Sequence, residues 1–230
     1  MERKQKGHSP EGRRSPSSKL AAVFRCIGSK SAIAGVLLVG FLTPVAVSQD
    51  AAFAQPSVEK GVLLIASPSM NDPNFSRTVV LIVEHGPQGT IGVILNRSTK
   101  VLLSEALPDV SALKGTKFRL FAGGPVDPTR LLLLFRLTDP QTDAISVFDG
   151  VYVGGAPKIL EQIIARADPK EKFRAFAGFA GWAPGQLNFE MVQGAWAILS
   201  ARSIGIFDED PGTLWQDCIS RLQAPKVISN

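Results

Sequence analysis

Reactive side chains are scarce in this chain, which holds two histidines, two cysteines and one tyrosine in 230 residues. His8 and Cys26 fall within the first 54 residues, so His85 and Cys218 stand alone in the remainder. That remainder has no second cysteine for an internal disulfide, and a metal site would need His85 to recruit carboxylates, with no ligand-spaced cluster to do it. No P-loop, G-x-G-x-x-G or G-x-S-x-G string occurs, so nucleotide folds and elbow-type serine hydrolysis lack support. Ser111-Ala112-Leu113-Lys114 spells the S-x-x-K of serine acylases, but neither S-D-N nor K-T-G accompanies it. Charge is modest at 20%, while 45% of residues are hydrophobic, enough for a packed core and against disorder.

The net charge of +5 lies entirely at the front. Residues 1–54 carry eight basic and three acidic residues, leaving seventeen of each sign from Gln55 to Asn230. Phosphate-backbone binding draws on Lys and Arg, so a neutral body lacks the general drive toward nucleic acid despite a pI near 9.4. The front reads as a leader. A basic stretch ends at Lys30, Ser31 to Gln49 is uncharged, and Ala46-Val47-Ser48 and Ala52-Phe53-Ala54 follow as small-x-small cleavage sites. Cleaved export to the periplasm or exterior is the leading expectation. The alternatives are an uncleaved anchor, the run being close to a bilayer's span, and a cytosolic protein with a mis-assigned start. Arg13-Arg14 precedes Ser15-Pro16 rather than the hydrophobic pair of a twin-arginine signal. The leader is also the chain's route to membrane contact.

From residue 55 onward the pattern is one α+β domain, a curved mixed or antiparallel sheet with a few packed helices. Strands are expected at Gly61–Ile65, Arg77–His85, Thr90–Asn96, Lys117–Ala122, Leu131–Leu137, Ala144–Phe148, Phe173–Ala180, Trp196–Ser200 and Gly205–Phe207. Gly86-Pro87-Gln88-Gly89 is too short for a parallel crossover, so the second and third form a hairpin. Pro157–Ala167 places Ile159, Leu160, Ile163 and Ile164 on one helical face. Leu214, Trp215, Cys218, Ile219 and Leu222 do the same after an Asp210 N-cap and Pro211, putting Cys218 in the core.

Candidate chemistry is thin. His85 ends a strand beside Glu84, but neighbouring strand residues face opposite ways, so Glu84 cannot readily orient it as a base. Gly123-Gly124-Pro125 has the residues of an anion-cradling turn or of a plain turn between strands. Trp182, between glycines in Ala180-Gly181-Trp182-Ala183-Pro184-Gly185-Gln186-Leu187, suits a surface anchor or a turn-locking core residue.

Taken together, these motifs resemble the YqgE/AlgH family of bacterial proteins. The matching blocks are Leu64-Ile65-Ala66-Ser67-Pro68 with Asp72-Pro73-Asn74-Phe75, Glu84-His85 with Gly92-Val93-Ile94-Leu95-Asn96, and Gly123-Gly124-Pro125-Val126. Gly178-Phe179-Ala180-Gly181-Trp182 with Pro184-Gly185-Gln186-Leu187, Glu190 and Trp196 complete them. They run in order from about Gly61 to Leu222. Where the family usually has Glu after Gln-Leu, this chain has Asn188. The resemblance implies a curved, partly bifurcated α+β sheet. Members are often labelled transcriptional regulators through a link with alginate production, a role at odds with an exported protein, which cannot reach the chromosome.

The first functional expectation is a non-enzymatic regulatory or recognition module without cofactor or metal. It would bind an unidentified protein or small molecule through a rim of Asp72, Phe75, His85, Asn96, Gly123, Gly124, Pro125, Trp182, Gln186 and Glu190. The alternative is a hydrolase-like enzyme with His85 as base and Asp72 or Glu190 as acid.

Overall fold

The computed structural model describes residues 57–137, 144–155, 157–166 and 172–224; the leader, Cys26 and Ala167 lie outside them. Ten strands occur among the described residues: β1 (Val62–Ala66), β2 (Val79–Gly86), β3 (Gly89–Ile94), β4 (Ser98–Leu102), β5 (Arg119–Ala122), β6 (Val126–Arg136), β7 (Ile145–Phe148), β8 (Val151–Gly154), β9 (Phe173–Trp182) and β10 (Trp196–Ser200). Four helices accompany them: α1 (Leu103–Ala106), α2 (Pro157–Arg166), α3 (Gln186–Val192) and α4 (Leu214–Gln223). The order β10-β1-β2-β3-β9-β6-β8-β7 forms one path, with β4 and β5 branching beside β9. All pairings are antiparallel except β5 with β9. The chain therefore folds as a single α+β domain around a large, unclosed, mainly antiparallel sheet.

The two-faced apolar character of β1 and β2 has a direct structural cause. Side chains alternate across a strand, and here both faces meet a core. Leu63, Ile65, Val79 and Leu81 join Leu214 and Cys218 under α4. Leu64, Ala66, Val80 and Ile82 join Trp182, Leu187 and Trp196 on the opposite face. A third core gathers Leu133, Phe135 and Ala175 beneath Ile159, Leu160 and Ile163 of α2. The sheet bends until its ends approach: Arg202, just past β10, bonds Asp149, between β7 and β8.

Strand β9 creates the fork. Its Ala175–Ala177 stretch pairs with β5, while Ala180–Trp182 pairs with β3 on the same side. At the handover Gly123 N–H donates to the Ala177 carbonyl (2.8 Å) and the Gly123 carbonyl accepts from Ile94 N–H (2.9 Å). A Cβ on Gly124 would lie 2.2 Å from the Phe179 carbonyl carbon, so only glycine lets these backbones cross. The Gly123-Gly124 pair is thus a packed crossing whose Gly123 amide is spent within the sheet, which corrects the anion-cradle alternative.

The sequence periods miss β4, β8, α1 and α3. Gly205–Phe207 is not a strand: the Asp208 N–H closes a turn on the Gly205 carbonyl (2.7 Å) and Ile206 plugs the core. Ser111–Leu113 is a short 3-10 turn with Ser111 and Lys114 exposed. Helix α4 starts at Leu214; Asp210 instead accepts from Gly212 N–H (2.9 Å) in the turn before it.

Candidate functional site

The loop between β1 and β2 starts the site. Asp72 Oδ1 accepts from Asn74 N–H (2.7 Å), and its carbonyl accepts from Phe75 N–H (2.9 Å) and Ser76 N–H (2.7 Å). This turn aims Phe75 at the sheet, where its ring stacks on Trp182 (5.8 Å, 26°) and meets Trp196 edge-on (5.6 Å, 76°). The two indoles are themselves edge to face at 5.9 Å. Arg97, in the link between β3 and β4, holds the loop by donating from Nη2 to the Pro73 carbonyl (2.9 Å). Burial pushes the Arg97 guanidinium pKa down, opposed by the nearby Asp72 carboxylate.

Helix α3 delivers the anion of this cluster. Glu190 Oε2 accepts from both indoles, Trp182 Nε1 at 3.0 Å and Trp196 Nε1 at 2.8 Å. Its other oxygen accepts from Gln186 Nε2 (3.0 Å), and Gln186 Oε1 in turn accepts from Ala183 N–H (3.1 Å). Glu190, Gln186, Trp182 and Trp196 therefore form one connected polar network that runs from the exposed Gln186 through half-buried Glu190 to the two buried indoles. Trp182 is 1% exposed, so of the two readings it is the core residue that locks the turn, and its place in the expected binding rim is corrected.

Asn96 acts one step away. Its Oδ1 accepts from Val79 N–H (2.9 Å) and its Nδ2 donates to the Arg77 carbonyl (2.9 Å). Arg77 needs that support because its φ of 54° is a left-handed conformation that side chains disfavour. The Arg77 guanidinium lies 5.6 Å over Trp215, whose Nε1 donates to the Ala66 carbonyl (2.9 Å).

His85 sits apart, exposed at the end of β2. Its Nδ1 is 2.8 Å from Thr90 Oγ1 across the hairpin. Together with Gly86, Pro87, Ala183, Pro184, Gly185, Leu187 and Asn188 they line a cleft of ≈ 210 Å³. No hydrogen bond or ion pair joins His85 to Asp72 or Glu190 among the described residues. The neighbouring Glu84 points elsewhere: its Oε2 is buried without a partner, and burial raises its pKa against the opposing pull of Lys60. Gly123 and Gly124 belong to the sheet crossing, and Pro125 is exposed beside it. Among the described residues no group of three or more His, Cys, Asp or Glu side chains is arranged to hold a metal, and no helix is long and apolar enough to cross a membrane.

Sequence reasoning missed Arg174. This β9 residue is 8% exposed and donates to the Leu95 carbonyl (3.1 Å) and the Glu209 carbonyl (3.0 Å), with its guanidinium 5.1 Å from the Phe121 ring. Burial lowers its pKa, and the Asp208 charge opposes that shift. The available signal was a lone cation inside the apolar run Phe173–Trp182.

Residues 63–226 match the family model DUF179, described as AlgH-like. A UPF0301 protein of Streptomyces avermitilis is 35% identical over 174 residues, covering 70% of this chain and 85% of that protein. A UPF0301 protein of Anaeromyxobacter dehalogenans is 32% identical over 169 residues, covering 69% and 85%. Among solved structures, the AlgH protein of Pseudomonas aeruginosa aligns with a TM-score of 0.62 at 28% identity, covering 75% of this chain and 93% of that one. The crystal structure of DIP2367 from Corynebacterium diphtheriae aligns with a TM-score of 0.56 at 26% identity, covering 75% and 91%. The forked sheet, the ordered motif blocks and these matches coincide along the body, and the chain belongs to the AlgH-like family.

Proposed function

We propose that this protein is a recognition module that receives a side-chain-sized group of a partner protein in the His85 cleft. The observation that carries this reading is the commitment of the carboxylates. Glu190 is taken up by two indoles and Gln186, Asp72 holds its own turn through Oδ1, and His85 is bonded to Thr90 rather than to either carboxylate, so neither orients it as a general base would require. His85 is held by neutral Thr90 and keeps its second ring nitrogen for a ligand. The cleft, at ≈ 210 Å³, is smaller than the several hundred Å³ usual for drug-sized ligands and suits one side chain. Its walls are Gly-Pro and Pro-Gly turns mounted on β2, β3 and β9, a preformed surface with little to order on binding. The export-type pattern of the first 54 residues supports a site of action outside the cytoplasm, away from the chromosome.

A photo-crosslinking residue at the exposed Asn188 position, expressed in the native cell, tests the reading. A discrete protein adduct that His85→Ala removes is the expected result. An unchanged adduct pattern in His85→Ala, or turnover of a substrate abolished by that change, would replace recognition with another function. N-terminal sequencing of the protein from fractionated cells tests the compartment: a periplasmic product starting after Ser48 or Ala54 agrees with export, and an intact cytosolic N-terminus ends it.

A further inference from the structure

The end of the sheet at β10 offers a second contact surface, separate from the His85 cleft. Register and hydrogen bonding identify which backbone groups point outward. Ser67 N–H donates to the Ala195 carbonyl (2.9 Å) and Ala201 N–H to the Gly61 carbonyl (3.2 Å). With Leu63 opposite Leu199 and Ile65 opposite Ala197, the alternation of an antiparallel ladder directs the N–H and C=O groups of Ala197 and Leu199 toward β1. Those of Trp196, Ile198 and Ser200 face away. Among the described residues β10 pairs with β1 alone, and of these outward groups only the Ser200 carbonyl has a partner, the Ser203 hydroxyl (2.6 Å).

Exposed sheet edges are ordinarily blunted by charge, proline or side-chain caps, because an open ladder is a template for another strand. The edge at β4 shows such protection. Thr99 Oγ1 accepts from Val101 N–H (3.2 Å), Glu105 accepts from Leu102 N–H (3.0 Å), and Lys100 projects into solvent. Strand β10, Trp-Ala-Ile-Leu-Ser, has no charge and no proline.

We propose that β10 pairs antiparallel with β10 of a second copy of this chain about a two-fold axis at Ile198. In that register Ile198 faces its own counterpart and Trp196 faces Ser200 of the other copy, so each outward N–H meets an outward carbonyl. The fit is electrostatic as well as geometric: an uncharged strand meets its copy without like-charge opposition. Arg202, the nearest cation beyond the strand, is already neutralised by Asp149. On the face carrying α4, the same register sets Leu199 of the second copy beside the small Ala197. Ala197 borders an open groove of ≈ 220 Å³ lined also by Ile65, Trp196, Ile219 and Leu222, room for that leucine. An isologous contact of this kind closes as a dimer and leaves no free β10 edge. Five residue pairs and one groove make a small interface, so the dimer is expected to form at about 10–100 µM.

Sedimentation of the full chain across that concentration range, with amide hydrogen exchange at Ile198, tests this; mild detergent is added where the leader is retained. The expected result is a monomer–dimer equilibrium in which the Ile198 amide slows at least tenfold at high concentration only. Ile198→Pro and Ser200→Pro each remove one outward donor and no bond to β1, and both should shift dimerisation at least tenfold upward. Where a variant does not fold, the wild-type exchange data decide alone. A monomer at every concentration overturns the proposal, as do dimers that persist in both folded variants. Slow Ile198 exchange in the dilute monomer also overturns it, since the chain's own residues would then cover the edge. Protection that appears only when an extended foreign peptide is added to a strict monomer replaces self-pairing with strand capture.

Discussion

Replacing Glu190 by alanine would leave the Trp182 and Trp196 indole N–H groups without an acceptor where both rings are almost fully enclosed. Each orphaned donor costs about 1–3 kcal/mol, so Glu190→Ala should lose about 2–4 kcal/mol in urea unfolding, with Glu190→Gln losing less because one acceptor survives. Nothing in the local sequence announces this: the carboxylate reads as an acid candidate until the fold brings two distant indoles to it. Cys218 is the opposite case. The helical spacing places it on the buried stripe, and it is buried, free and shifted up to about 11 by desolvation. A thiol whose pKa is raised by folding adds stability that is complete below its unfolded pKa and is lost as pH climbs through the folded one. Its share of stability should therefore decline between about pH 9 and 11. A Cys218→Ala variant should show a flatter stability curve over that window, and the native thiol should resist alkylation at pH 7.5 until the protein is unfolded.

At the scale of elements, β9 decides the architecture by serving two different neighbours on one side. Gly124→Ala places a methyl into the Phe179–Ala180 backbone, which cannot move without parting the fork. We expect loss of at least about 3 kcal/mol or failure to fold, read by thermal melting, whereas alanine at the uncrowded Gly86 should cost well under that. Legibility followed the same logic. Strand β1, most of β2 and the Leu131–Phe135 stretch of β6 could be read because a run between two cores is apolar on both faces, whereas the polar, exposed start of β6 from Val126 to Arg130 could not. Helix α3 could not, since Gly185 at its start has a positive φ and provides no side-chain cap. Its face is also mixed: Leu187 is buried while Phe189 and Val192 are 65% and 88% exposed. Gly205–Phe207 failed for the same reason in reverse, three residues with strand-like letters being drawn into a turn that fills the core.

For the whole molecule, the decisive quantity is where charge resides. The body has equal numbers of basic and acidic residues, so the chain without its first 54 residues should not retard duplex DNA at 100 mM salt, nor show the steep salt dependence of phosphate neutralisation. Retardation that weakens steeply as salt rises would restore a nucleic-acid role. The balance, the doubly apolar strands and the motif blocks could all be read from the chain itself, because each depends on composition or on residues a few positions apart. The commitments of Glu190, Arg174 and Asn96 could not. Arg174 meets the Leu95 carbonyl across 79 positions and Asn96 reaches Arg77 across 19, and only the closed fold determines which partner a polar group finds. The sequence thus determined which segments are buried and how charge is divided along the chain. Tertiary structure decided which polar groups remain free to bind, because burial obliges nearly every other one to be satisfied from within.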